Sequence, residues 1–182
     1  MFIKEVIVIP KIIENIRDDI MRCAEIILKT DGYDAMSIRR IARECKSAVG
    51  TIYNYFESKD DLVANIILKD WLDVVSGMNE TVNSSKTYAD GAVGLYLAIR
   101  KFECVYKTVW KQYSQTVGSH GVVMDHHLQL RTQVSSLLDV LARNTGCQRL
   151  CQSSPIIAEA IIAATLQRDM NELTIRRFAE LL

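Results

Sequence analysis

Proline is almost missing from this chain. Two prolines in 182 residues leave long stretches with nothing to break a helix. Strand signatures are scarce too, so an all-helical fold is expected. No apolar run approaches the roughly 20 residues that span a bilayer. A signal peptide is not expected either: the apolar opening, residues 1–9, is interrupted by Lys4 and Glu5, and no small-residue cleavage site follows. The five cysteines are an odd number at irregular spacing, which excludes a disulfide framework and suggests reduced thiols in a cytoplasm. Adjacent His126 and His127 point about 100° apart on a helix. Neither they, His120, nor Cys147-x-x-x-Cys151 complete a metal-ligand spacing, so no metal is expected. No Gly-rich phosphate loop, Glu-x-x-His pair or nucleophile elbow is present, so neither catalysis nor a cofactor is expected. Net charge is zero, which argues against a surface that coats polyanions regardless of their sequence.

What is present is concentrated in residues 37–62, SIRRIARECKSAVGTIYNYFESKDDL. Ile38, Ile41, Ala42 and Cys45 recur at i, i+3, i+4 and i+7, one buried helical stripe over residues 37–45, with Ser37 as its N-cap. Arg39, Arg40 and Arg43 lie off that stripe. Lys46-Ser47 reads as a turn. A second short helix is expected over residues 48–55, with Val49, Ile52 and Phe56 inward and Thr51, Tyr53, Asn54 and Tyr55 at least partly outward. Hydroxyls and an amide on an outward face suit phosphates and base edges better than water alone. Ser58-x-x-Asp61 is a capping box that opens the next helix, with Lys59 in its first turn. Two short helices across a tight turn are the layout of a helix-turn-helix. From Ala35 to Lys59 the basic residues Arg39, Arg40, Arg43, Lys46 and Lys59 outnumber Glu44 and Glu57, so positive charge gathers at the motif although the whole chain is neutral.

The run AVGTIYNYFESKDDL resembles the N-terminal domain of the TetR family of bacterial repressors. Gly50, Thr51, Ile52, Tyr53, Tyr55, Phe56, Ser58, Lys59 and Leu62 match its pattern, as do Gly32, Ser37-Ile38 and Ile41-Ala42 upstream. The likeness covers roughly residues 12–65. It departs from the pattern at the turn, where Lys46 replaces the usual Gly and Ser47 the usual Val. A side chain with positive φ there costs about 1 kcal/mol or more. The resemblance implies DNA contacts from Ser37, Arg39, Lys46, Ala48, Val49, Gly50, Thr51, Tyr53, Asn54, Tyr55 and Lys59. Tyr53 and Lys59 would hold phosphates, and Asn54 and Tyr55 would approach bases.

Along the chain, Pro10 is expected to start the first helix, with Ile13, Ile16, Ile20, Cys23, Ala24 and Ile27 on its buried face. A long helix over residues 58–78 would join an N-terminal DNA-binding domain, residues 1–57, to a C-terminal domain, residues 58–182. The polar stretch 79–86 reads as a loop. A helix from about residue 87 to 106 or beyond follows, then a further turn or short helix through residue 113 and a break at 118–121. Another helix runs over 124–144 and is ended by Gly146. Ser154 is expected to cap a helix that Pro155 opens, and Asn171 to cap the last one. About nine helices result. The helix beginning at Pro155 is apolar around most of its circumference, so part of it needs a partner. The resemblance implies a four-helix dimer bundle there, to which Ile157, Ile161, Ala164, Ile175 and Phe178 are assigned. Trp71, Tyr96, Phe102, Tyr106, Trp110 and Tyr113 could line an effector cavity or form ordinary core.

The expectation is therefore a homodimeric regulator of double-stranded DNA, most simply a repressor released from a palindromic operator by a small molecule of unknown identity. A structural chromosome-binding protein using the same motif, and a helical enzyme or carrier with a fortuitous one, are the alternatives.

Overall fold

The computed structural model describes residues 16–116 and 120–182, and their side chains apart from those of residues 110, 113–116 and 120–126. The expectations for the apolar arm 1–9, Pro10 and Ile13, for residues 118 and 119 of the break at 118–121, and for the side chains of Trp110, Tyr113, His120 and His126, fall outside what is described, while residues 120 and 121 are helical and not part of a break. Among the described residues there are eight α-helices and no strand: α1 (Ile16–Asp31), α2 (Ile38–Glu44), α3 (Val49–Tyr53), α4 (Lys59–Ser84), α5 (Tyr88–Thr116), α6 (His120–Asn144), α7 (Ser154–Thr165) and α8 (Glu172–Leu181). A 3-10 turn, Gln148–Ser153, leads into α7.

Two apolar cores form. The first gathers Ile20, Ala24, Ile27 and Leu28 of α1, Ile41 of α2, Ile52 of α3 with Phe56 beyond it, and Leu62, Val63 and Ile66 of α4. It also takes in Phe102, Tyr106 and Val109, an i, i+4, i+7 stripe on α5. The second packs Met78 and Val82 of α4 with α5, α6, α7 and α8. Helices α4 and α5 therefore take part in both, and Trp71 and Val74 pack against each. α5 lies very close to its neighbours. A Cβ on Gly94 would come within 2.4 Å of Thr81 Cγ2 on α4, and one on Gly91 within 2.3 Å of a Leu141 methyl on α6.

Three boundaries differ from expectation. α4 continues six residues past 78, because buried Met78 and Val82 extend its apolar stripe. The polar residues there are its solvent face, where Asn79, Thr81 and Ser84 bond back to the carbonyls of Val75, Gly77 and Glu80. α5 runs without interruption to Thr116 because its stripe continues through Val109. Ser154 is inside α7 and donates its hydroxyl hydrogen bond to the Leu150 carbonyl, so it is a buried link and not the cap. Asn171 does cap α8, accepting from the Thr174 N–H at 3.1 Å.

Candidate nucleic-acid interface

The motif is held from below by a few buried side chains. In α2, Ile38, Ile41 and Ala42 are buried, and the Ser37 hydroxyl accepts from the Arg40 N–H at 3.2 Å, so Ser37 is its cap. The turn keeps the geometry that glycine would give. Lys46 has φ 52°, the sole non-glycine residue with positive φ among those described. Its N–H bonds to the Arg43 carbonyl at 3.2 Å, and that of Ser47 to the Ala42 carbonyl at 2.8 Å. These are the two bonds of a Schellman end, which closes α2 and satisfies its last carbonyls. The sequence thus keeps the turn and carries the strain.

α3 is shorter than expected, though the N–H groups of Tyr55 and Phe56 both bond to the Ile52 carbonyl at 3.0 Å and prolong it by a turn. Ile52 and Phe56 are fully buried, and the Arg17 guanidinium lies 5.2 Å from the Phe56 ring centre. Anchoring at Ile52 and Phe56 leaves Tyr53 54% and Tyr55 45% exposed, with Asn54 exposed between them. Val49 is a correction. Expected inward, it is 38% exposed, because as the first residue of α3 it stands at the rim of the packed face. A Cβ placed on Gly50 would meet nothing within 4 Å, so the fold does not demand a glycine there. Of the other expected contacts, Ser37, Arg39, Lys46 and Ala48 are exposed, and Thr51 and Lys59 are half-buried.

The arginines are not equivalent. Arg40 is engaged by Asp31 and the Ala35 carbonyl, and Arg43 reaches Glu44 at 3.4 Å, whereas Arg39 and Lys46 point to solvent. Ser58 caps α4 by accepting from the Asp61 N–H at 3.0 Å, while the Asp61 carboxylate reaches back to the Glu57 N–H. Lys59 in the first turn of α4 has its Nζ 3.6 Å from the centre of the Tyr33 ring. Burial lowers the Lys59 pKa, and the carboxylates of Asp34 and Asp60 oppose that shift. Tyr33 in turn donates its hydroxyl hydrogen bond to Asp60. Sequence reasoning missed Tyr33, Asp34 and their α5 partner Gln112, since the contacts join residues nearly eighty apart and no local pattern marks them.

The two other groups of assigned residues lie elsewhere than expected. Ile157, Ile161, Ala164 and Ile175 are buried in the chain's own second core, and Phe178 is half-buried against it. A partner cannot reach those four, because α7 turns Ile157, Ile161 and Ala164, and α8 turns Ile175, into the chain's own core. Its outward face is the next stripe round, with Ile156 75% exposed, Ala160 and Ala163 exposed, and Leu166 close by. The four aromatics of the set whose side chains are described, Trp71, Tyr96, Phe102 and Tyr106, are packed, not hollow. Trp71 and Phe102 meet edge to face at 5.1 Å, and Phe102 and Tyr106 lie 4.9 Å apart. Tyr106 donates to Asp70 at 2.6 Å and Tyr96 to the Met170 carbonyl at 2.9 Å. Two shallow clefts, of about 370 and 220 Å³, are lined by residues of α1 and α4 and by α6 with Pro155, and neither includes any of these aromatics. Among the described residues no His, Cys, Asp and Glu cluster could hold a metal ion, and no helix is long and apolar enough to cross a membrane.

Residues 20–66 match the family model for bacterial regulatory proteins of the tetR family. The chain is 39% identical over 71 residues to the HTH-type transcriptional regulator HbdR of Aromatoleum sp. (strain CIB), a match covering 39% of this chain and 31% of that protein. It is 25% identical over 105 residues to the fatty acid metabolism regulator protein of Bacillus subtilis (strain 168), covering 58% and 47% respectively. The matches thus span about a third to a half of the length of these curated relatives. In fold, the likeness extends over nearly the whole chain. SCO4454, a TetR-family transcriptional regulator from Streptomyces coelicolor, superposes with a TM-score of 0.58 at 18% identity, covering 90% of this chain and 95% of that one. Residues 20–66 are thus a helix-turn-helix domain of the tetR family of bacterial regulatory proteins, carried on a helical body with the fold of TetR-family regulators.

Proposed function

We propose that this regulator is a homodimeric repressor that sits on a palindromic operator and leaves it when a small effector binds. The observation that carries the DNA reading is the outward face of α3. Tyr53, Asn54 and Tyr55 stand in solvent immediately beside two residues, Ile52 and Phe56, that are wholly buried. The helix is thus fixed in orientation while its hydrogen-bonding groups are left unused. Asn54 would read a base edge, Tyr53 and Lys59 would hold phosphates, and Arg39 and Lys46 would add charge. Gly50 would let the DNA backbone come close.

The dimer reading rests on α7. Ile156, Ala160 and Ala163 follow one another at i, i+4 and i+7 on a face that the chain's own core leaves uncovered. A second copy applied there, about a two-fold axis, would hold two α3 helices roughly 34–36 Å apart, one turn of B-DNA. Residues 1–57 would then do the reading, and residues 58–182 the pairing and sensing. Because, among the described residues, α4 and α5 are the helices that join both cores, an effector would act by favouring one arrangement of these two helices over another. The Bacillus subtilis relative is named for fatty acid metabolism, so fatty-acid-derived compounds are the first effectors to screen.

Selection of bound sequences from a random DNA library tests the proposal. A repressor recovers a two-fold symmetric site and prefers it to unrelated DNA by roughly 10³-fold or more. Shallow discrimination without a palindrome would instead identify a protein that coats the chromosome.

A further inference from the structure

We infer that Gln112, on the far part of α5, is a positioning residue for DNA binding, pinning the turn whose tyrosine seats Lys59. The inference rests on the reading of Lys59 as a phosphate contact.

The chain of contacts is short. The Gln112 Oε1 accepts from the Tyr33 N–H at 3.1 Å, and its Nε2 donates to the Asp34 carboxylate at 2.6 Å. One amide therefore holds two consecutive residues of the segment between α1 and α2. That segment starts from Gly32, whose φ of +84° turns the chain sharply out of α1. Tyr33 is 5% exposed, its ring lies 3.6 Å from the Lys59 Nζ, and its hydroxyl is tied to Asp60 in the same first turn of α4. Lys59 is thus held over an aromatic face, a contact that narrows the many rotamers of a lysine without removing its charge. A lysine already ordered loses less freedom on meeting a phosphate, so its contact is worth more. If Gln112 lets go, the Tyr33 backbone loses its anchor on α5, and the aromatic seat of Lys59 is less closely fixed.

The same geometry gives α5 a handle on the reading head. Gln112 lies six residues beyond Tyr106, which is packed in the first core and bonded to Asp70 of α4, where Lys29 of α1 also binds at 2.5 Å. A displacement of α5 that breaks the Gln112 pair would weaken DNA binding without touching α3.

The experiment measures affinity for a fixed duplex against salt concentration. Lys59→Ala should flatten the log–log salt slope by about 0.9 for each subunit, the share of one phosphate. Gln112→Ala should weaken binding to specific and unrelated DNA alike and flatten the slope in the same direction. In the Lys59→Ala background it should add nothing, since both changes remove one contact. Gln112→Glu faces the Asp34 carboxylate with a second carboxylate and should be as poor as Gln112→Ala. Adding Asp34→Asn to Gln112→Glu exchanges donor for acceptor and should restore both affinity and slope, which also controls for a variant that merely folds badly. Additive losses from Lys59→Ala and Gln112→Ala, or a double variant that stays weak, would overturn the positioning role while leaving the DNA reading intact. An unchanged slope in Lys59→Ala would remove the phosphate contact itself, and the inference with it.

Discussion

Helices α3 and α7 both carry residues that the chain's own packing does not use, but of opposite chemistry. α3 offers two tyrosines and an asparagine beside a glycine, over a base of only two buried side chains. α7 offers Ile156, Ala160 and Ala163, over a base of Ile157, Ala158, Ile161 and Ile162. A surface that leaves hydroxyls and an amide unpaired in a well-anchored helix fits a partner rich in hydrogen-bonding groups. A surface of aliphatic side chains with small residues between them fits a close helix, and a second copy supplies one of identical shape. The partners differ because the unused residues differ, although both helices are short and both are fixed by the adjoining turn.

The strongest way to break this comparison is to put charge on the two sides of α7 in turn. Ala160→Glu places a carboxylate on the outward face, where the monomer tolerates it. It should give folded monomers by sedimentation, and operator affinity should fall by about 10²-fold or more, because the two reading heads are no longer tethered to one another. Ile161→Asp puts the charge in the core instead, at a residue with no exposed surface. That variant should lose cooperative unfolding, since an unpaired buried charge is among the few changes that cost more than about 4 kcal/mol. A folded Ala160→Glu dimer would move the interface to another face.

The same contrast shows why the two ends of the chain were unequally legible. At α3, residue type and spacing carry the structure locally. Ile52 and Phe56 are one turn apart and Ser58 caps the next helix, while Val49 faces out because one residue at the rim can face either way, and the last residues of α3 close as a turn. At α7, nearly every position is apolar, so periodicity cannot say which side meets the chain's own core. The residues assigned to the partner, Ile157, Ile161, Ala164 and Ile175, proved to be the inward ones. The length of α4 was hidden for a related reason. A polar solvent face with Asn, Ser and Thr has the composition of a loop, and only the buried Met78 and Val82 betray the helix. The Gln112 clamp was beyond reach because it depends on tertiary placement alone.

On the α3 side the largest effect should come from Asn54→Ala. Losing a bidentate base contact costs about 1–3 kcal/mol at one base position in each half-site and relaxes preference there alone. A binding selection repeated with the variant reads this directly. Equal loss at every position would make Asn54 a backbone contact. Gly50→Ala should separate DNA contact from stability. The added methyl meets nothing in the protein, so the helix should gain about 0.5–1 kcal/mol, while the operator should bind less tightly. If affinity held, the DNA would pass further from α3 than proposed.

The smallest effect concerns the turn. Lys46 adopts a left-handed conformation that costs an ordinary residue about 1–2 kcal/mol. Glycine relieves that strain but gives the unfolded chain more freedom, so Lys46→Gly should raise stability by somewhat less, roughly 0.5–1 kcal/mol. Lys46 is also an exposed cation at the start of the reading head, so the same change should weaken DNA binding and flatten its salt slope. A protein that tolerates strain at one position only to keep a charge there should become more stable and less able to bind. If Lys46→Gly stabilises the chain and leaves the slope untouched, the lysine carries strain without a DNA contact, and the positive charge of the head rests on Arg39 and Lys59.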